Sequence, residues 1–209
     1  MRLRRFQAAW NRRSRIAAES GLHVARVEHL LNRYGTFAED ILALIREDPS
    51  LADPLPGADD YVGAEVVYAA SHEGALHLED VLARRTRISI EARDRGASAA
   101  PVAASLLARV HGWDKDREER EVRTYLRRVE AERASQLQPD DESADRIRLE
   151  APDIVDEDAA AAKQRAGKNG SATAGGAKAG TPTSAYITHG WLTASHVAAA
   201  DSKRSWARV

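Results

Sequence analysis

The 209-residue chain contains no cysteine. That excludes a disulfide framework, a thiolate zinc site and a cysteine nucleophile, and it fits a reducing compartment. An excess of one charge sign is also missing. Lys and Arg number 31 against 32 Asp and Glu, a formal net charge of -1, which rules out a globally basic nucleic-acid binder. No apolar run approaches the roughly 18 residues that a membrane span needs. Aromatic residues make up only 5%, and 40 of the residues behind the 43% hydrophobic fraction are alanine, so the core is thinner than that fraction suggests. Residues 1–19 form a basic arm, with Arg2, Arg4, Arg5, Arg12, Arg13 and Arg15 ahead of the first acid, Glu19. It lacks the apolar stretch of a secretion signal, although its composition also suits a transit peptide. Such an arm can meet phosphates or anionic lipid, with Phe6 and Trp10 as candidate membrane contacts.

What is present is helical periodicity. Leu22, Val24, Ala25, Val27, Leu30 and Leu31 recur at helical spacing up to Tyr34-Gly35. Thr36 and Glu39 have capping-box spacing, and Phe37, Ile41, Leu44 and Ile45 mark one face of a second helix that must stop before Pro49. With Pro49, Pro54 and Pro56, the stretch to Gly57 reads as a surface loop. Asp59 or Asp60 is expected to cap a helix burying Tyr61, Ala64, Val67, Tyr68 and Ala70 or Ser71. A further helix from about Leu76 points Leu78, Val81 and Leu82 inward, and Ile88-Ser89-Ile90 is a candidate extended piece. Pro101 suits the first turn of a helix running to Gly112. Asp114 is expected to cap the longest one, which carries Val122, Tyr125, Leu126 and Val129.

The expectation is therefore an all-α domain, a cap or bundle of about five to six helices, over residues 20–136. A semi-ordered acidic extension occupies 137–155, and 156–209 is expected to be a disordered tail. Residues 156–185 contain no Val, Ile, Leu, Met, Phe, Trp or Tyr, so they cannot form a core.

Sites of chemistry are scarce. His72, Glu73, His77 and Glu79 cluster in sequence, but His72 and His77 are five apart with Gly74 between them, so no metal site is expected. His23 and His29 fall on different faces of one helix. Ser, His and Asp occur without a nucleophile-elbow context, and no catalytic residue is assigned. Asp80 precedes Arg84 by four, the spacing of an exposed helical ion pair.

The segment Gly21-Leu22-His23-Val24-Ala25-Arg26-Val27-Glu28-His29-Leu30-Leu31-Asn32-Arg33-Tyr34-Gly35, the segment Ala64-Glu65-Val66-Val67-Tyr68-Ala69-Ala70 and, above all, His77-Leu78-Glu79-Asp80-Val81-Leu82-Ala83-Arg84-Arg85-Thr86-Arg87 resemble the C-terminal helical domain of FAD-dependent glycerol-3-phosphate dehydrogenases in their actinobacterial form. The resemblance runs from Gly21 to Val155. It implies a parent reaction that oxidises sn-glycerol 3-phosphate to dihydroxyacetone phosphate on FAD, with electrons passed to quinone. It also implies a preceding dinucleotide-binding domain. The strand, G-x-G-x-x-G turn and helix of such a domain do not occur here, so no cofactor is expected in this chain. The resemblance therefore implies a truncated or separately encoded module, inactive alone, whose partner is a flavin-binding domain on a separate chain. Asp80, Arg84 and Arg85 are the candidate docking residues. Self-association through an exposed apolar face, a cytoplasmic location and peripheral contact with the inner face of the plasma membrane are further implications. The alternative is a non-enzymatic helical adapter that uses the basic arm or Arg84 and Arg85.

Overall fold

Gly35 and Gly112 stand where helical periodicity breaks, and both end helices in the computed structural model, Gly112 in the left-handed conformation that glycine adopts without strain. The structure describes residues 2–155, 157–160 and 163, with side chains described from Phe6 onward. These residues lie in one unit, Met1–Arg165; the second unit, Ala166–Val209, and with it nearly all of the expected tail, lies outside the described residues.

The order is α1 (Arg2–Asn11), α2 (Arg13–Ser20), α3 (Val24–Tyr34), α4 (Ala38–Glu47), β1 (Pro54–Leu55), β2 (Ala58–Val62), α5 (Gly63–His72), a π-helical turn (Asp80–Arg85), α6 (Ile88–Glu91), α7 (Ala100–His111), α8 (Lys115–Ser135) and α9 (Asp141–Leu149). Helices carry the fold, as the apolar spacing implied. The basic arm is itself helical. Phe6, Trp10 and Ile16 pack on the core, Ala17 is buried, and Arg13 pairs with Glu28 at 2.5 Å.

Several local expectations are corrected. Thr36 does not cap: it lies in a 3-10 turn, Gly35–Phe37, and α4 starts at Ala38 with no side-chain cap. The proline-rich stretch is not plain loop, since Pro49–Ala52 is a 3-10 turn and Pro54 and Leu55 pair antiparallel with β2. Asp59 and Asp60 lie exposed on β2, and the start of α5 is satisfied from inside the helix, by Glu65 accepting the Val62 amide at 2.9 Å. Ile88-Ser89-Ile90 is helical. Asp114 does cap α8, accepting the Arg117 amide at 2.8 Å, and Pro101 sits in the first turn of α7.

Two apolar clusters share α5. One gathers Val27, Leu30, Ile41, Leu42 and Ile45 with Ala64 and Tyr68; the other gathers Leu78, Val81, Leu82, Ile88, Ala103 and Leu107 with Val66 and Ala69. Gly96 seals the second. Its φ is +80°, and a Cβ there would stand 2.8 Å from Ile88 Cγ2, so only glycine fits. Beyond α9, Ile154 is buried, and Glu157 bonds Thr124 and Arg127, each at 2.6 Å. No helix among the described residues is long and apolar enough to cross a membrane.

Candidate functional site

The segment carrying Asp80, Arg84 and Arg85 is wound as a π-helical turn, whose hydrogen bonds, such as Thr86 N to Val81 O, span one residue more than those of an α-helix. Leu78, Val81 and Leu82 are fully buried beneath it, which fixes the turn and throws the charged residues to its rim. Asp80 caps the start: its Oδ2 accepts the Leu76 and His77 amides at 3.0 and 3.1 Å. Burial pushes this carboxyl up, but those amides and Arg84 together hold it below the usual aspartate range. Arg84 spends its charge on Asp80 at 2.5 Å and Glu79 at 3.1 Å, with its side chain 56% exposed. Arg85 turns the other way and donates to the Glu73 carbonyl at 2.9 Å, while its own carbonyl accepts Arg33 Nη2 at 2.5 Å. Thr86 is buried and closes the turn by donating to Val81 O at 2.7 Å. The Tyr61 hydroxyl accepts the Arg87 amide and donates to Glu91 at 2.7 Å; burial, then that acid, pushes its pKa up to about 12. The three expected docking residues thus share one turn, but Asp80 and Arg85 are half-buried and the more exposed Arg84 has its charge met within the chain.

Two buried glutamates support this turn and its surroundings. Glu65, fully buried, accepts the Val62 amide and faces His29 Nε2 at 3.1 Å. Glu121, 2% exposed, accepts the Leu78 amide at 2.9 Å and faces His77 Nδ1 at 3.0 Å. Arg117 adds two bonds to Glu121, at 2.7 and 3.1 Å, stacks on Trp113 and pairs with Asp158. The Glu121 hydrogen bond raises the His77 pKa, against the opposing effect of burial. Sequence reasoning missed both glutamates as structural centres. The available signal was a lone acid inside a run that is otherwise apolar, Tyr61 to Tyr68, and an acid one residue from the apolar stripe of α8.

Metal and cofactor chemistry can be judged on these contacts. His77, Glu121 and Asp158 bring ligand atoms within 4.8 Å of one another, but Arg117 lies against all three and supplies the cation itself. His72 stacks on Tyr68 at 4.7 Å and meets the Ser71 hydroxyl at 2.7 Å, and no shared ligand geometry with His77 results. The described residues also contain a strand that runs directly into a helix, β2 into α5, the nearest they come to the strand, turn and helix that a flavin pyrophosphate would require. It does not fit that group. The Val62 amide is taken by Glu65, the Gly63 amide by Asp53 O at 3.1 Å, and a Cβ on Gly63 would already meet Leu106 Cδ1 at 3.2 Å. A buried carboxylate sits where a phosphate would need amides.

Residues 5–118 match the family model for the C-terminal domain of alpha-glycerophosphate oxidase. Glycerol-3-phosphate dehydrogenase 2 of Mycobacterium tuberculosis is 51% identical over 148 residues, which is 71% of this chain and 25% of that protein. The glycerol-3-phosphate dehydrogenase of Mycobacterium leprae matches with the same identity and coverage. The mitochondrial glycerol-3-phosphate dehydrogenase of Arabidopsis thaliana is 35% identical over 101 residues, 48% of this chain and 16% of that protein. No solved structure matches. The chain spans about a quarter of the length of the mycobacterial relatives. With more than half of its residues inside the family model, the chain belongs to the family of the C-terminal domain of alpha-glycerophosphate oxidase.

Proposed function

We propose that this chain is the C-terminal helical module of an FAD-dependent glycerol-3-phosphate dehydrogenase, silent by itself, which completes a flavin-binding domain carried on a separate chain. The observation that supports the module reading is the 51% identity to the Mycobacterium tuberculosis dehydrogenase over 71% of this chain. The parent reaction converts sn-glycerol 3-phosphate to dihydroxyacetone phosphate and passes electrons to quinone. Its chemistry belongs to the flavin; this chain contributes packing and a docking face, not a step of the reaction. The Asp80, Arg84 and Arg85 turn carries that face. The assembly works in the cytoplasm, at the inner face of the plasma membrane.

Without its partner the module is expected to self-associate, because a groove with Pro101 of α7 and Val122 and Leu126 of α8 along it, bordered by charged residues such as Lys115, Glu118 and Arg123, stays open. A hydrophobic dye should bind, and sedimentation should show larger species as concentration rises. The direct test is spectroscopic. The purified chain should carry no flavin absorbance and should not reduce an artificial acceptor when given glycerol 3-phosphate. Stoichiometric flavin or substrate-dependent acceptor reduction by the chain alone would overturn the reading.

A further inference from the structure

We propose that the outer face of α8 pairs two copies of this chain, the two helices running antiparallel about a two-fold axis at Leu126. The pairing goes beyond the dehydrogenase reading, which its failure would leave intact. One stripe of α8 turns inward: Glu121, Tyr125 and Val129 are buried, and the last two belong to a core cluster. A second stripe turns outward. Glu119, Arg123, Leu126, Glu130 and Arg133 are all exposed, Leu126 at 38% although its apolar spacing assigns it to the core. Steps of four, three, four and three residues keep this stripe on one side of the helix, the repeat by which one helix lies along another.

The charges on the stripe have no partner within the chain. Among the described residues none of Glu119, Arg123, Glu130 and Arg133 forms an ion pair or a side-chain hydrogen bond. Glu119 and Arg123 are four apart and Glu130 and Arg133 three apart, the spacings at which helical pairs close, yet neither pair closes. Their neighbours differ. Lys115 meets Glu118 at 3.0 Å, Arg127 meets Glu157 at 2.6 Å and Arg128 meets Glu79 at 3.0 Å.

The order of the charges fits a second copy. Along the helix the stripe reads acid, base, leucine, acid, base. An antiparallel helix laid on it with the two Leu126 side chains in contact sets Arg123 against Glu130 and Glu119 against Arg133. The two-fold axis repeats each pair, so four opposite-charge contacts flank one apolar centre. A parallel pair in register would set every charge against its own sign. Pro101 of α7 and Val122 line the groove beside Leu126, which gives the second copy's leucine an apolar seat. Because both copies use the same face, the contact closes at two chains.

Sedimentation equilibrium of the full chain tests this. The unaltered chain should show a monomer and dimer in equilibrium, with no larger species. Arg123→Glu and Glu130→Arg should each weaken dimerisation at least about tenfold, because each creates two contacts between like charges. An equimolar mixture of these two variants should dimerise nearly as well as the unaltered chain, since each then presents the opposite charge to the other. Recovery in the mixture also shows that both variants are folded. Leu126→Gln should weaken dimerisation with no change in helical circular dichroism. A chain that stays monomeric at all concentrations, single variants that dimerise normally, or a mixture that does not recover would overturn the pairing. If the unaltered chain does not self-associate and Arg123→Glu instead loses binding to the flavin part of the Mycobacterium tuberculosis relative, the stripe belongs to that partner and the second copy is overturned.

Discussion

Glu65 and Glu121 are the same device in two halves of the molecule, and they differ in what completes them. Each is a buried carboxylate that accepts a backbone amide and faces a histidine about 3 Å away. Glu65 stitches the start of α5 to α3, and Glu121 stitches the start of the arginine turn to α8. Only Glu121 also carries a guanidinium, that of Arg117, whose side chain is 18% exposed. The difference teaches which acid is structurally harder to lose. An arginine keeps its charge when an acid is removed, so the second half holds a permanent charge that Glu121 shares with Asp158.

The largest expected effect breaks that half. Glu121→Ala leaves the Leu78 amide without its acceptor and Arg117 with Asp158 as its remaining acid, and should cost about 3 kcal/mol in urea unfolding. Adding Arg117→Met to Glu121→Leu should recover most of it; a double variant as unstable as the single one would show that the Arg117 charge is not the cause. Glu65→Ala should cost less, about 1 to 2 kcal/mol, because what is lost is the acceptor of the Val62 amide and a contact to His29, with no arginine involved. Equal losses at the two glutamates would erase the distinction.

A smaller effect sharpens the comparison through pH. The folded-state pKa of His77 is raised above its ordinary value of 6.5, through the hydrogen bond to Glu121. Its contribution is therefore complete below that ordinary value and is lost as pH rises through the folded value. The melting temperature should fall by a few degrees between about pH 6 and pH 8, and His77→Gln should flatten the slope. A slope unchanged in His77→Gln would assign the dependence to another group.

Local signals in the sequence were readable because their causes are local. Asp114 lies three residues from the amide it caps, Pro101 fills a position that needs no amide donor, and Gly35 and Gly112 end helices by backbone freedom alone. The start of α5 was misread because sequence favours a cap that precedes the helix, and here Glu65 reaches back from its interior. Thr36 had the right neighbours, but the chain spends those residues on a 3-10 turn joining α3 to α4. The site was legible only in part. The motif located Asp80, Arg84 and Arg85, but no spacing rule could join Arg33 to a carbonyl 52 residues away, or tell that Arg84 is already paired while Arg85 is not. Those facts are set by packing between elements distant in sequence.

The proposed role of this chain is that of a module completing a glycerol-3-phosphate dehydrogenase. Reconstitution tests it most directly: glycerol 3-phosphate oxidation by the uncovered three quarters of the Mycobacterium tuberculosis relative, measured with an artificial acceptor before and after the full chain is added. The account predicts little activity from either part and a saturable rise when they are mixed at equal amounts. A flavin part already fully active without this chain, and unchanged by it, would contradict the claim.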